Sequence, residues 1–300
     1  MNRDGLLLID KPGGQTSHDI VYAIRRATGE REVGHAGTLD PMATGLLILC
    51  VGKAVRLSEY LIGKDKVYAG RMKLGERTNT DDAQGEVVER RDVRVTAQDL
   101  ERARAALTGD ILQVPPQFSA IQRAGRRAYQ MARKGEAVDL PPRPVRIAAL
   151  DLAPAGFPEV ELRVACSAGT YIRALVRDIG EMLGCGAHLT ALRRIASGSF
   201  RLDESVPLRD FQQAAAGGDW ERYLLPMERA VEDMPRCELD RDAGRQFLMG
   251  QFVPFPGEAG DAPGGLYRVY AAGRFIALGR RDALQDVLKP AKVFRQTLEL

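Results

Sequence analysis

The sequence predicts an α+β fold, in which a mixed, largely antiparallel sheet with helices is followed by a small C-terminal β-barrel. Strand and helix patterns follow one another in mixed order, without the regular strand–helix–strand repeat of a doubly wound parallel sheet. After Met234 the chain becomes rich in glycine, with short alternating strands and no long helix, which is typical of a small β-barrel. We therefore divide the chain into domains 1–232 and 233–300, joined by a linker near residues 231–236.

The N-terminal stretch "GLLLIDKP" predicts a short buried strand that ends at Pro12. The next segment predicts a helix, because Thr16 or Ser17 can cap it, apolar residues recur on one face and Gly29 closes it. A loop, "GHAGTLDPMATGLL", then leads into an apolar strand over residues 46–51.

The middle of the larger domain combines a helix over residues 54–61 with a hairpin over residues 66–88, interrupted by the polar loop "GERTNTDDAQG". Thr96 and Asp99 form a capping-box pattern at the start of a surface helix. A proline-bounded extended stretch then precedes a basic helix around Tyr129.

The last part of the larger domain contains two strands, "VRIAALDLA" and "EVELRVACSAG", before the helix "TYIRALVRDIGEML". The apolar positions of this helix fit a 3.6-residue period. A third helix is predicted near residues 187–195.

Composition narrows the class of protein. No apolar run is long enough to cross a membrane, and the first residues lack the pattern of a signal peptide, so we expect a cytoplasmic protein without membrane contact. The four cysteines and three histidines are scattered, which argues against a metal site or a disulfide framework. No glycine-rich nucleotide-binding motif precedes a helix, so no cofactor is expected.

Two basic segments contain no acidic residue, namely "QRAGRRAYQMARKG" (122–135) and "LRRIASGSFR" (192–201). The net charge of the whole chain is only +3, so these segments concentrate positive charge locally. They indicate binding to the phosphates of a polyanionic partner. The alternative is that each is a solvated basic face.

Asp40 is the lone carboxylate of the loop "GHAGTLDPMATGLL". Pro41 biases its backbone to an extended conformation, and its apolar neighbours predict a partly desolvated pocket. A carboxylate in such a pocket, beside a cation, can act as a nucleophile or general base. The alternative is a turn residue chosen for its geometry alone.

Arg173 is a candidate for that cation. It falls in the first turn of the predicted helix, where a cation meets the positive end of the helix dipole. A residue that departs from this helix-dipole preference is a candidate for a functional role. Alternatively, Arg173 lies on the surface or pairs with Asp178 or Glu181.

Tyr68 and Tyr171 are the aromatic candidates, because each could stack on a nucleic-acid base. Either could equally be a core or rim aromatic. Sequence spacing alone places neither of them beside Asp40.

Six segments of the larger domain resemble the bacterial tRNA pseudouridine-55 synthases, the TruB family. In family order over residues 6–198, they are "LLLIDKPGGQTSHD", "VGHAGTLDPMATGLL", "KVYAGRMKLGERTNTDDAQGEV", "VPPQFSAIQRAGRRAYQMARKGE", "SAGTYIRALVRDIG" and "LGCGAHLTALRRIASG". The C-terminal part resembles the PUA module, an RNA-binding β-barrel, more weakly.

The resemblance implies a pseudouridine-synthase type of fold and the isomerisation of uridine to pseudouridine at position 55 in the T loop of tRNA, with the target base flipped out of its stack. It also implies that Asp40 is the catalytic nucleophile, that Tyr68 lies under the flipped uracil and that Arg173 is the ion-pair partner of Asp40. The reaction needs no metal and no cofactor.

Further positions follow from the same resemblance. Tyr171 and Leu192 would line the uracil pocket, and His35 would contact RNA displaced around the target nucleotide. Lys11 and Pro12 match a structural motif that braces the active-site loop.

Two positions have a less defined assignment. Asp82 matches a polar-loop position that is either structural or close to RNA. Gln122 stands where the family pattern "SAxKxxGxRxY" has a lysine, which concerns a phosphate or loop-anchoring contact and not the chemistry. As partner we expect the T arm of tRNA, with the C-terminal domain on the acceptor stem, and we expect a monomer.

Two mechanistic choices stay open at the level of sequence: Asp40 can attack C1′ or C6, and the C5 proton can leave through the Tyr68 phenol or a water. Two other functions are also open. A non-catalytic RNA-binding or RNA-folding protein would use the same basic surfaces, and a nucleic-acid glycosidase would use Asp40 to release free uracil.

Overall fold

The computed structural model describes residues 3–119, 122–123, 126–127, 131, 139–256 and 265–294. A 10-stranded sheet and a five-stranded sheet organise these residues. In the larger sheet only two of the observed strand pairings, Gly5–Lys11 with Val206–Pro207 and Thr44–Val51 with Ala187–Ser197, are parallel. The α+β class with a mixed, largely antiparallel sheet is therefore confirmed.

The strands of the larger sheet are β1 (Gly5–Lys11), β2 (Val33–His35), β3 (Thr44–Val51), β4 (Lys66–Leu74), β7 (Gly109–Gln113), β10 (Arg143–Pro154), β11 (Glu159–Cys166), β12 (Ala187–Ser197), β13 (Phe200–Arg201) and β14 (Val206–Pro207). Their order is β14-β1-β3-β12-β4-β11-β10-β7, with β2 on β3 and β13 on β12. Two small pairs lie outside it, β5 (Glu76–Thr78) with β6 (Val87–Arg90) and β8 (Gln122–Arg123) with β9 (Arg126–Arg127).

The α-helices of the described residues are α1 (Ser17–Thr28), α2 (Ser58–Ile62), α3 (Ala97–Ala106), α4 (Ile172–Met182), α5 (Leu208–Ala216) and α6 (Arg241–Leu248). The first helix has the local signals read from the sequence. Thr16 caps it with a reciprocal capping box to Asp19, and Gly29 ends it in the left-handed conformation with φ 75°. A 3₁₀ turn over Gly52–Leu57 and the short α2 take the place of the single helix expected over residues 54–61.

Two expectations about the larger domain are wrong. Residues 187–195 are not a helix but part of β12, which lies between β3 and β4 at the centre of the sheet. Ala, Leu and Arg favour helices, but burial within the sheet outweighs that preference here. The hairpin over residues 66–88 is also absent, because β4 pairs with β11 and β12 whereas β5 pairs with β6.

Strand β3 is buried on both faces and separates two apolar clusters. Leu47 and Leu49 belong to the main core with helices α1 and α4. Leu46, Ile48 and Cys50 belong to a second cluster on the opposite face. The residue alternation of a strand explains this division, since successive side chains point to opposite faces.

The C-terminal region contains β15 (Arg236–Leu239), β16 (Val253–Pro254), β17 (Leu266–Ala271), β18 (Arg274–Asp282) and β19 (Val287–Val293), in the order β15-β17-β18-β19-β16. This compact β structure agrees with the expected PUA-like module. Its aromatic residues Tyr270, Phe275 and Phe294 belong to the same second cluster as β3. The two sheets therefore share an apolar core, while the boundary at residue 232 stays a prediction.

Candidate active site

The loop between β2 and β3 carries Asp40 and is held by the elements on either side. The Ser17 hydroxyl accepts a hydrogen bond from the Leu39 amide at 2.8 Å. The buried Lys11 ammonium donates to the carbonyl oxygens of Pro12 at 2.8 Å, Pro41 at 3.3 Å and Ala43 at 2.6 Å. One cation thus joins the end of β1 to the part of the loop that directly follows Asp40.

The cost of burying Lys11 predicts a measurable pH dependence of stability. Burial lowers the pKa of Lys11 from its usual 10.5 to about 8, although the Asp40 charge opposes the shift. Between these pH values the folded chain has released the proton that the unfolded chain still binds. The contribution of Lys11 to the free energy of unfolding therefore rises with pH across this window.

We expect the stability difference between the wild-type protein and Lys11→Met to change in favour of the wild type as pH rises from about 7.5 to 9.5, measured by urea denaturation. Lys66, whose pKa burial also lowers to about 8, is present in both proteins and cancels in the difference. A stability difference that stays constant across this range would contradict the lowered pKa of the buried Lys11.

Asp40 and Arg173 form a bidentate ion pair. Arg173 Nε donates to Asp40 Oδ2 at 2.9 Å, and Nη2 donates to Oδ1 at 3.1 Å. The remaining guanidinium contacts are the carbonyl oxygens of Thr80 at 3.0 Å and Phe118 at 3.1 Å. Arg173 is 4% exposed, whereas the Asp40 side chain is 36% exposed. Arg173 therefore fixes a carboxylate that still faces open space.

Helix α4 explains how Arg173 reaches this position. Its N-cap is Tyr171, and Arg173 lies in the first turn. The alternative partners are occupied elsewhere, since Asp178 accepts from Arg177 and Glu181 from Arg77. The unfavourable position near the helix N-terminus is thus compensated by the Asp40 carboxylate.

A second carboxylate, that of Asp82, lies behind the pair. Its Oδ2 is 3.6 Å from Arg173 Nε, and the residue is 5% exposed. Asp82 Oδ1 accepts hydrogen bonds from the Thr80 hydroxyl at 2.7 Å and the Gln84 amide at 3.0 Å. Asp82 therefore orders the loop whose Thr80 carbonyl binds Arg173.

A cavity of about 350 Å³ opens beside the pair. Its walls include five of the residues singled out from the sequence, which are Asp40, Tyr68, Tyr171, Arg173 and Leu192. The cavity therefore joins the Asp40–Arg173 pair to two aromatic side chains and one leucine. Such a cavity suits a flat heterocyclic base.

The ring of Tyr68 is 8% exposed, on the central strand β4. Burial raises the pKa of its phenol, and the charge of Arg194 opposes that shift. The phenol is consequently neutral near pH 7 and can donate a hydrogen bond. Tyr171 is held nearby through its amide, which donates to Gln113 Oε1 at 2.8 Å.

Three expected site residues do not line this cavity. Lys11 donates to the Pro41 carbonyl of the Asp40 loop and also to the carbonyl of Pro12, while the bracing role of the two residues stays a prediction. His35 lies on β2, where burial lowers the pKa of its imidazole and no hydrogen-bond partner of Nδ1 is found among the described residues. Contact of His35 with RNA stays a prediction.

The basic segment 192–201 was expected to bind phosphates, but one of its arginines is buried. Arg194 is 1% exposed and cannot contact a phosphate on the surface, so the expectation is wrong for this residue. Arg193 is bound to Asp10 at 2.6 Å. The expected helix around Tyr129 and most of the first basic segment lie outside the described residues, although Gln122 pairs with Arg127 in the β8–β9 ladder.

Sequence reasoning missed Thr80, Phe118 and Arg194. The first two act through backbone carbonyls, for which side-chain identity gives no signal. Within the described part of the chain, no cluster of three or more His, Cys, Asp or Glu side chains could hold a metal ion. None of the helices described is both long and apolar enough to span a membrane.

Three family models match consecutive parts of the chain. They describe the N-terminal domain of the TruB family pseudouridylate synthases over residues 25–172, the C-terminal domain of tRNA pseudouridylate synthase B over 173–232 and the C-terminal part of pseudouridine synthase II TruB over 235–294. The tRNA pseudouridine synthase B of Burkholderia lata is 42% identical over 294 residues, which is 97% of this chain and 90% of that protein. This chain belongs to the TruB family of pseudouridylate synthases.

A second TruB-family relative, the tRNA pseudouridine synthase B of Haemophilus influenzae strain 86-028NP, is 40% identical over 98% of this chain and 96% of its own length. Among solved structures, a Cbf5-Nop10-Gar1 complex contains a chain with a TM-score of 0.73 and 26% identity, covering 97% of this chain and 85% of that chain. An H/ACA ribonucleoprotein bound to a substrate RNA matches with the same TM-score at 24% identity, covering 98% and 86%. The expected pseudouridine-synthase type of fold is confirmed.

Proposed function

We propose that this TruB-family protein isomerises uridine to pseudouridine at position 55 in the T loop of tRNA, with Asp40 as the nucleophile. The bidentate contact of Asp40 with Arg173 supports the proposal most directly, because it fixes one carboxylate at the wall of a base-sized cavity. The names of the curated relatives support tRNA as the substrate.

The reaction breaks the bond between C1′ and N1 of the nucleotide, turns the uracil and joins C1′ to C5. Asp40 attacks either C1′ or C6, and the C5 hydrogen leaves as a proton while N1 gains one, so atoms and charge balance. Arg173 orients both carboxylate oxygens, which restricts the direction of attack. The uracil enters the cavity only after leaving its stack, at a cost of about a few kcal/mol.

Tyr68, Tyr171 and Leu192 supply the apolar and aromatic walls for the base. In this proposal the Tyr68 ring lies under the uracil and its hydroxyl contacts the reacting edge. His35 contacts the RNA around the emptied position. We place the enzyme in the cytoplasm as a monomer.

The proposal is tested with the purified full-length chain and a tRNA transcript. We expect one pseudouridine at position 55 per tRNA, no free uracil and no product from a matched transcript with cytidine at that position. Release of uracil would support the glycosidase function. Binding without product at catalytic enzyme concentration would support the non-catalytic function.

Tyr68→Phe keeps the ring and removes the hydroxyl. We expect the single-turnover rate to fall by about 10²- to 10³-fold, because a positioned acid–base group contributes on that scale, while affinity for the RNA stays within about threefold. Rapid-quench measurement with saturating enzyme gives the rate. If Tyr68→Phe turned over at the wild-type rate, the phenol would not carry the C5 proton, and a water would be the remaining candidate.

We also propose that the C-terminal sheet contacts the acceptor stem. Arg274 is exposed at the start of β18. We expect Arg274→Glu to raise KM for whole tRNA, to leave KM for an isolated T-arm stem-loop unchanged, and to reduce the salt dependence by about one slope unit per phosphate contact. The same change at the exposed Arg209 of α5 is the control. Equal effects on both RNAs would contradict the assignment.

A further inference from the structure

Arg194 is a fully buried cation in the central strand β12, 1% exposed. It lies opposite Tyr68 on one neighbouring strand and opposite Gly45 on the other. No carboxylate among the described residues is within ion-pair distance of it. Burying a cation without a charged partner is expensive, and an apolar side chain would serve a packing function better.

The side chain of Arg194 donates three hydrogen bonds to the loop that carries Asp40 and the strand that follows it. Nε donates to the carbonyl oxygen of Leu46 at 2.7 Å, Nη2 to that of Gly37 at 3.1 Å and Nη1 to that of Thr38 at 3.5 Å. Gly37 and Thr38 precede Asp40, and Leu46 follows it. One planar guanidinium therefore ties together the two ends of this loop.

The same guanidinium acts on Tyr68. Arg194 and Tyr68 are paired across β12 and β4 and line the same cavity, and the charge of Arg194 lowers the pKa of the phenol, against burial, which raises it. Cys166 and Asp40 are the other titratable groups that act on this phenol.

A glycine makes this close packing feasible. Gly45 has φ +98°, and a Cβ placed on it would lie 2.4 Å from the carbonyl oxygen of Arg194 and 2.8 Å from its amide nitrogen. Any other residue would push β12 away from β3. The close approach of the Arg194 backbone to Gly45 and the hydrogen bonds of its side chain thus both join β12 to the Asp40 loop and β3.

We propose that Arg194 is a positioning residue that sets the Asp40 loop and the Tyr68 hydroxyl relative to one another. The proposal rests on the proposed function. Arg194 also lines the cavity, and in this proposal it acts through Asp40 and Tyr68. Its loss should therefore reduce the rate of the chemical step more than the affinity for RNA.

The test compares Arg194→Met and Arg194→Lys with the wild-type full chain on a T-arm stem-loop. We expect Arg194→Met to lower the single-turnover rate by about 100-fold, as displacement of a catalytic group by about 1 Å does, with the Kd for RNA within about threefold. Lys keeps the charge but cannot reach all three carbonyls, so it should recover only part of the rate.

The matched control is Arg268→Lys. Arg268 also donates to a backbone carbonyl, that of Met234 at 2.8 Å, but it lies in the C-terminal sheet. We expect its rate on the stem-loop to equal that of the wild type. Thermal unfolding of every variant separates loss of fold from loss of rate.

A double-mutant cycle with Tyr68→Phe distinguishes positioning from general support of the fold. If Arg194 acts partly through the Tyr68 hydroxyl, Arg194→Met should cost less in the Tyr68→Phe protein than in the wild type. Additive losses, a rate within about threefold of the wild type, a loss confined to Kd, or failure of both Arg194 variants to fold would each overturn the proposal. An inactive wild-type chain would instead refute the proposed function, and this proposal would fall with it.

Discussion

Asp40→Asn is expected to abolish pseudouridine formation, with a loss of at least about 10⁴-fold in single-turnover rate, the scale on which removal of a nucleophile acts. The amide has almost the same shape as the carboxylate, but it is not nucleophilic and presents an N–H group to Arg173. Affinity for RNA should stay within about threefold, because many contacts share the binding energy.

The measurement is product formation with enzyme in excess over tRNA, beside a direct binding assay. Asp10→Asn is the matched control, since Asp10 also binds an arginine, Arg193, at 2.6 Å. Retention of substantial turnover by Asp40→Asn would refute the nucleophile assignment. An equal loss in the Asp10 variant would attribute the effect to stability instead.

Arg173→Lys is expected to give the second largest loss, about 10²- to 10³-fold in rate, comparable to the removal of a fixed donor from an active site. An ammonium group cannot bind both Asp40 oxygens and also reach the carbonyl oxygens of Thr80 and Phe118. The carboxylate would keep a nearby charge but lose its fixed orientation.

Arg177→Lys is the control for Arg173→Lys. Arg177 lies one turn later on the same helix and binds Asp81 and Asp178. We expect it to keep a near wild-type rate with a modest change in Tm. A fully active Arg173→Lys protein would mean that charge alone is required at this position.

Local signals explain which elements were predictable. The Thr16–Asp19 capping box and Gly29 determine the two ends of α1. Arg173 could be singled out because its place in the first turn is unfavourable. Its pairing with Asp40, 133 residues away in sequence, rested on the family resemblance, since spacing along a chain does not determine contacts between elements.

The errors have a common physical cause. Strand β12 carries residues that favour a helix, and only its neighbours β3 and β4 make it a strand. Because β12 is a central strand, Arg194 is buried, although the sequence pattern of a basic segment predicts a surface residue. Both facts depend on long-range pairing and were not accessible from the local sequence.

We expect the two-sided burial of β3 to make the protein unfold as one cooperative unit. The second apolar cluster joins Leu46 and Ile48 of this strand to Tyr270 and Phe275 of the C-terminal sheet. Because Asp40 lies on the loop that enters β3, we expect melting of the C-terminal sheet to distort this loop as well. Calorimetry should record a single transition, and the C-terminal sheet would then anchor the loop of the proposed nucleophile.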